Sequence, residues 1–341
     1  MDYEGVLVIG EQRGGRVHPV TFELLARGRV LADKLGVKLS CVILGHGLEQ
    51  YAQEIIQRGA DTAYVIDDPA LRWFLPQPYC DAVVELIQEV KPEVVLAAAT
   101  TTGRTLMPLM AARLMTGLTA DCTGLDIDEK ERLLLQTRPA IGGNVMATIK
   151  TPAARPQMAT VRPKSARPLP ADPGRRGEVV VKACKSEALS SAAEKMLEFV
   201  ADATQEVGVQ DAEVIVAGGK GLKNRDGFKL VEDLARELGA AVGATRDVVD
   251  LGWIGYSHQI GLSGKTVSPK LYVAIGISGT IQHLAGMQTA ETIVAINRDK
   301  DAQIFKVADF GIVGDLFQVV PEIIEKLQRA KAQSAVIRGE R

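Results

Sequence analysis

Residues 271–297, LYVAIGISGTIQHLAGMQTAETIVAIN, constrain the fold more tightly than any other part of the chain. A β-rich apolar run at 271–277 enters a tight Gly276-Ile277-Ser278-Gly279 turn. Gln282 and His283 follow at once, then Gly286, then a second apolar run at 293–296 that ends in Asn297. Short apolar runs bounded by glycine read as buried strands. The whole is one strand–turn–helix–strand unit with its polar groups gathered at strand ends. In open α/β sheets, ligands lie in the crevice beyond the carboxyl ends of the strands. Glycines there let a ligand approach the backbone, and a helix N-terminus offers N–H groups to phosphate. The segment is therefore expected to hold an anionic, planar cofactor.

At 341 residues the chain exceeds the usual size of one core, so two domains are expected. The boundary is placed near residue 205: an N-terminal α/β domain over 1–205, a second over 206–330, and a helical tail over 331–341. A formal charge of −2 gives no electrostatic reason to expect nucleic acid or a lipid surface as partner. No apolar run approaches the ~18 residues of a membrane span, so the expectation is a soluble, cytoplasmic protein without an integral membrane segment. Cys41, Cys80, Cys122 and Cys184 lie far apart with no C-x-x-C spacing. They read as buried small hydrophobes in a reducing compartment rather than as metal ligands. An aromatic content of 4% makes stacking platforms for single-stranded nucleic acid improbable.

The first half alternates strand-like and helix-like stretches. Strands are expected at 6–9, 39–44, 62–66 and 94–99. Helices are expected at 21–35, with Leu24, Leu25, Val30, Leu31 and Leu35 on one face, and at 49–58, 81–90 and 106–115, the last after a turn at 100–104. The alternation implies right-handed βαβ crossovers and a mainly parallel sheet. Segments 133–136, 146–149 and 158–161 are short and separated by turn residues, and are expected to pair antiparallel. Residues 151–177 carry many of the prolines, with arginines between, and read as an extended surface loop or as an arm wrapping a partner subunit. A last strand of this domain is expected at 178–183 and a helical linker at 186–210. A fresh Rossmann-like start follows, with a strand at 212–217, the turn Gly218-Gly219-Lys220-Gly221, and a helix at 228–238. A terminal helix is expected from about 322 to 336.

Five clusters in the second domain could carry chemistry. The Gly218–Gly221 turn with Lys220 suits phosphate, although no P-loop spacing is present. Thr245-Arg246 follows the strand expected at 240–242. The loop from His258 to Lys265 carries glycines and Ser263, and could fold closely over a ring system. The fourth is the Ser278–His283 turn with Asn297. Asp315, before Leu316, is the fifth and fits a helix N-cap without any ligand. Each taken alone also fits a bland reading as turn, cap or solvated side chain. All five, however, fall at carboxyl ends of expected strands in one domain.

The string at 271–297 closely resembles the signature of the α subunit of electron transfer flavoproteins, the heterodimeric FAD carriers. In that family Leu-Tyr-x-Ala-x-Gly-Ile-Ser-Gly-x-Ile-Gln-His-x-x-Gly leads, after six residues, into Ile-x-Ala-Ile-Asn, and every fixed position is matched. Similarity extends over the flavin domain from about 214 to 322. The resemblance implies FAD contacts from Lys220, Thr245, Arg246, Ile260, Gly261, Leu262, Ser263, Ser278, Gly279, Thr280, Ile281, Gln282, His283, Asn297, Asp315 and Leu316, and no metal. Three of these would tune the flavin. Arg246 holds the position over the ring, Ser263 the hydroxyl near N5, and His283 the position beside the pyrimidine oxygen. Lys220 stands where many members have arginine, and Ser263 and Thr245 exchange the hydroxyl types often found there.

Adding an electron to a flavin places negative charge near N1 and its neighbouring carbonyl. A protonated His283 or a fixed Arg246 at ~4 Å would favour that form by up to a few kcal/mol at an effective dielectric of ~20. With ~1.4 kcal/mol equivalent to ~59 mV for one electron, the shift is on the order of 100 mV. Such a protein suits single-electron shuttling through a stabilised semiquinone rather than catalysis on a bound substrate.

The family further implies a β subunit as obligatory partner. It also implies an acyl-CoA dehydrogenase-type or other flavin dehydrogenase as donor and a quinone- or flavin-linked acceptor. In a bifurcating form, NADH and ferredoxin join through the β subunit. Glu11-Gln12-Arg13 and residues 137–144 look more like the bifurcating members. A nicotinamide-dependent dehydrogenase is the competing reading, but no G-x-G-x-x-G follows the first strand.

Overall fold

The computed structural model describes residues 3–139, 145–184, 196–198 and 208–338. The chain divides into two compact units, Met1–Phe199 and Val200–Arg341. Among the described residues, no helix is long and apolar enough to cross a membrane.

The first unit begins with β1 (Val6–Ile9), a small hairpin of β2 (Gln12–Arg13) and β3 (Arg16–Val17), and α1 (Val20–Leu35). Then come β4 (Leu39–Gly45), α2 (Ala52–Gln57), β5 (Thr62–Asp67), α3 (Pro76–Val90), β6 (Val94–Ala98) and α4 (Thr101–Arg113). The unit continues with β7 (Leu118–Cys122), β8 (Gly124–Asp128), β9 (Leu133–Pro139), β10 (Met146–Ile149), β11 (Gln157–Val161) and β12 (Glu178–Lys182). Among the described residues, seven strands form one parallel sheet in the order β12-β5-β4-β1-β6-β11-β7. A sheet covered on both faces needs continuously apolar strands. Accordingly β1, β6 and β11 are buried at every position, and an apolar cluster fills each side.

Several expectations need correction. The strand at 158–161 does not pair antiparallel. As part of β11 it lies parallel between β6 and β7. Antiparallel pairing is confined to β8, β9 and β10, whose three-stranded sheet returns the chain to the amino ends of β6 and β7. The turn expected at 100–104 is the start of α4, because the Thr100 hydroxyl accepts a hydrogen bond from the Gly103 N–H at 3.1 Å and caps the helix. Helix α3 starts five residues early, with Pro76 in its first turn where a missing N–H costs nothing. The helix expected at 49–58 opens as a 3₁₀ turn, Glu49–Tyr51. Val30 is 53% exposed, since one residue's rotation of about 100° carries it off the face that buries Leu31.

The Pro/Arg segment runs over its own unit. Arg162 pairs with Asp121 through two contacts of 3.0 and 2.5 Å, Arg175 pairs with Asp61 at 2.7 Å, and Arg58 donates to the Leu169 carbonyl at 3.2 Å. The helical expectation for 186–210 falls mostly outside the described residues.

The second unit follows the order β13 (Val214–Gly218), α5 (Arg225–Leu238), β14 (Ala241–Ala244), α6 (Arg246–Asp250), β15 (Leu271–Ile275), α7 (Ile281–Met287), β16 (Thr292–Asn297), β17 (Phe310–Val313) and α8 (Leu316–Arg338). Among the described residues its five strands are all parallel, in the order β14-β13-β15-β16-β17. Helix α5 is set by the Asn224 side chain, which accepts from the Gly227 N–H at 2.8 Å, and by left-handed Gly239 at its end. It buries Phe228, Val231, Leu234 and Ala235 against the sheet. Helix α8 begins six residues before the expected 322, because Asp315 caps it by accepting from the Phe317 N–H at 2.9 Å.

Candidate cofactor site

In the second sheet the chain leaves β13 towards β14 on one side and then crosses to β15 on the other. The crevice at that reversal is where a doubly wound sheet binds ligands. A cavity of about 490 Å³ opens there. Its wall comes from the turn after β13, the start of α6, the loop at 260–263, the turn between β15 and α7, and the residues after β16.

Its floor is main chain. Hydrogen bonds carry the sheet beyond its strand ends: Gly219 N–H to Ile275 O at 2.9 Å, Gly221 N–H to Gly276 O at 3.0 Å, and Gly276 N–H to Ile296 O at 2.9 Å. A β-carbon on Gly219 would lie 2.4 Å from the Gly276 carbonyl oxygen, so glycine is required there. Gly276 itself has φ +62 and Gly279 φ +83, left-handed conformations that glycine adopts without strain.

Of the residues implied by the resemblance, Lys220, Thr245, Arg246, Ile260, Gly261, Leu262, Ser263, Ser278, Gly279, Thr280, Gln282, His283 and Asn297 line the cavity. Ile281 does not. It starts α7 facing outward and is 67% exposed. Asp315 and Leu316 line an adjoining hollow of about 180 Å³, which shares Lys220, Gly221, Gly276 and Asn297 with the larger one. Gly219, Gly221, Asp247, Gly276, Ile277, Asp299 and Ala302 also line the cavity and were absent from the expected set. The glycines were visible in the turns themselves. Asp299 and Ala302 sit in a loop with no motif to mark them.

The side chains divide by role. Arg246 is exposed and paired with Asp250 one turn along α6, at 3.2 Å. The Ser263 hydroxyl oxygen accepts from the Gln259 amide at 3.0 Å, which leaves its own hydrogen free to donate elsewhere. Asn297 clamps the neighbouring turn, its amide donating to Ile277 O at 2.9 Å and its oxygen accepting from the Asp299 N–H at 3.0 Å.

His283 corrects the expectation of a cation. The residue is 4% exposed, and burial pushes its imidazole from 6.5 down to about 4, although the contact with the Ile260 carbonyl works the other way. Its Nδ1 lies 3.1 Å from that carbonyl and its Nε2 lies 3.0 Å from the Tyr272 hydroxyl.

In the first unit the strand order reverses between β1 and β6. Glu11, 7% exposed, lies just past β1, and its Oε2 accepts from the Thr100 hydroxyl at 2.6 Å, beside the start of α4. A carboxylate in that position repels phosphate. In the second unit the lining fits an elongated, anionic, two-part ligand such as FAD. Cations stand at Lys220 and Arg246, hydroxyls at Thr245, Ser263, Ser278 and Thr280, and bare backbone forms the floor.

Comparison with known proteins agrees with that chemistry. Residues 6–187 match the model of the electron transfer flavoprotein domain, and residues 208–288 that of the electron transfer flavoprotein FAD-binding domain. The chain is 51% identical over 333 residues to an electron transfer flavoprotein subunit alpha of Thermoanaerobacterium thermosaccharolyticum, covering 97% of this chain and 99% of the relative. It is 46% identical to that of Megasphaera elsdenii, covering 97% and 98%. It is also 41% identical to the lactate dehydrogenase (NAD(+),ferredoxin) subunit LctC of Acetobacterium woodii, covering 96% of this chain and 77% of the relative.

Proposed function

The chain belongs to the electron transfer flavoprotein α-subunit family, and from that premise we propose that it works as one half of a heterodimer, with FAD seated in the second-unit crevice. It is an electron carrier subunit rather than an enzyme in its own right. The β subunit completes the assembly, a flavin dehydrogenase of the acyl-CoA type or NADH supplies electrons, and a flavin- or quinone-linked protein takes them. The observation that carries the site assignment is the glycine-floored cavity at the strand reversal, continuous in its lining with the hollow beside Asp315.

FAD, when bound, supplies redox chemistry in one-electron steps. The residues hold and bias it. Lys220 and the turn from Ser278 to Thr280 suit the diphosphate, and the hollow lined by Asn297, Asp315 and Leu316 suits the adenosine end. Ser263 would offer its hydroxyl hydrogen to the ring, and Arg246 would supply positive charge at that end of the cavity.

Arg246→Ala is expected to lower the midpoint potential of bound FAD while leaving FAD content intact. An exposed guanidinium already paired with Asp250 acts through water, at about 1 kcal/mol over ~4 Å, or roughly 40 mV for one electron. Spectroelectrochemistry on the heterodimer measures it, and an unchanged potential removes Arg246 from the role.

A second reading, the bifurcating form, draws on the similarity to a subunit whose name gives NAD(+) and ferredoxin as its couple, and on Glu11-Gln12-Arg13. Purification with the β subunit, followed by a flavin count, separates the two. One FAD per heterodimer is expected of a simple shuttle and two of a bifurcating protein. A colourless heterodimer that takes up no FAD rejects both.

A further inference from the structure

Three arginines of the first unit gather round a single carboxylate, that of Asp121 on β7. Arg162 follows β11 and is 9% exposed, Arg104 lies in the first turn of α4, and Arg138 is on β9. Arg162 commits both arms of its fork to Asp121, at 3.0 and 2.5 Å. Arg104 approaches the same carboxylate only to 3.8 Å, too long for a hydrogen bond. Burial pushes the Asp121 carboxyl up, but Arg162, Arg104 and Arg138 hold it below 3.8, so all three charges reach it.

Arg138 is largely buried and, among the described residues, has neither a hydrogen-bond acceptor nor an ion pair of its own. Gln136, two residues earlier, projects from the same face of β9. It is 0% exposed, and among the described residues neither polar atom of its amide is hydrogen-bonded. Buried polar groups are normally paired, and a charge left without a counter-charge costs more than a neutral group. Three guanidiniums to one carboxylate leave two positive charges in excess. Glu11 does not offset them. It is hydrogen-bonded to Thr100 past the end of β1, and β6 and β11 separate β1 from β7.

We propose that Arg138 and Arg104, gathered at Asp121, form an oxyanion site in the first unit that takes a carboxylate or phosphate group. Guanidinium forks match the paired oxygens of such groups. Asp121 is aimed for its part by local backbone geometry. It has φ +61 at the register shift between β7 and β11, and its N–H donates to the Thr160 hydroxyl at 2.9 Å. Bulges of this kind re-aim a side chain and recur near functional sites. The oxyanion can be a free anion or an acidic side chain of the partner subunit, and the recognition chemistry is the same for both. The site lies wholly in the first unit and is independent of the FAD crevice.

The test is a titration of inorganic phosphate, at constant ionic strength, into the full chain and into its heterodimer with the β subunit, read by phosphorus NMR linewidth. The wild-type full chain is expected to bind phosphate. Arg138→Gln is expected to bind it roughly 10- to 100-fold more weakly, as for loss of one hydrogen bond to a charged group. Arg176→Gln removes an exposed charge elsewhere in the first unit and should bind as the wild type does. If the natural group is the partner's carboxylate, phosphate raises the heterodimer Kd and Arg138→Gln weakens assembly by a similar factor. If it is a free anion, assembly is unchanged and the heterodimer binds phosphate as the full chain does. Absence of phosphate binding by the wild-type full chain, or an equal loss in Arg176→Gln, overturns the proposal. Without phosphate, Arg138→Gln should match or exceed the denaturant midpoint of the wild type, because it removes an unpaired charge. A lower midpoint, or failure to fold, makes Arg138 a structural residue and overturns the site as well.

Discussion

Gly286→Ala is expected to strip most of the FAD from the protein while leaving the first unit intact. Gly286 lies on α7 directly against the loop that forms one wall of the cavity. A β-carbon there would sit 2.5 Å from Gly261 N and 2.6 Å from Gly261 Cα. Those are backbone atoms, so no rotamer change relieves the clash. The loop cannot drift away freely either. Gly261 N–H bonds Lys265 O at 3.1 Å, Leu262 N–H bonds Gln282 O at 2.8 Å, and Val267 N–H bonds Gly286 O at 2.8 Å. Overpacking of this kind costs about 1–3 kcal/mol. If that cost falls on the bound geometry, the Kd for FAD rises roughly 10- to 100-fold. The flavin-to-protein absorbance ratio and an FAD titration of the purified heterodimer read it directly. Gly36→Ala, at a left-handed helix end in the first unit with open space around it, is the control for generic backbone strain. Full flavin content in Gly286→Ala would show that the 260–263 loop is not part of the binding wall.

Acid should unfold the second unit through His283. Its imidazole is depressed from 6.5 to about 4 in the folded chain, chiefly by burial. Between those values the unfolded chain binds a proton that the folded chain refuses, so stability rises with pH across that window. The contribution is complete above 6.5, declines as pH falls, and by about pH 4 amounts to a loss on the order of 3 kcal/mol. Carboxylates act lower. Burial raises Asp61 and Asp121, but the Leu39 N–H and Arg29 outweigh it for the first, and Arg162 for the second, so both end below 3.8. Their stabilising effect is lost as pH falls below 3.8, clear of the histidine window. Denaturant midpoints of the second-unit transition from pH 7.5 to 4.5 should therefore slope downward in the wild type and flatten in His283→Gln. A slope that persists in the variant would assign the acid sensitivity to another group.

Much of this architecture was legible because parallel strands buried on both faces must be continuous apolar runs. Residues 6–9, 94–98 and 271–275 announce themselves that way, and Gly10 and Gly276 mark the carboxyl ends of the first and the last. Direction was harder to read. The strand around Met158 is apolar in either orientation, and only the intervening three-stranded excursion makes it parallel. Helix starts were missed wherever a single capping side chain, Thr100 or Asp315, outweighed a weak apolar period. At the site, residue types and positions were readable but hydrogen-bond allegiance was not. A histidine in a ligand motif suggests a cation, yet burial holds its imidazole below the ordinary value. Asn297 lines the cavity, and its amide also holds a turn. Such pairings are tertiary and leave no local trace. Ile281 shows the converse, because a family motif includes it while the helical rotation at the start of α7 turns it outward.

The main-chain floor of the second-unit crevice has a practical corollary for redesign. Because Gly219, Gly221 and Gly276 spend their own amides on the sheet's ladder, the shape of the seat there is set by main chain rather than by any exchangeable side chain. Arg246, Leu262 and Ser263, by contrast, stand exposed at the mouth. A graded library at those three rim positions is therefore expected to step the potential of the carrier up or down while its flavin content, read by absorbance, stays as it was.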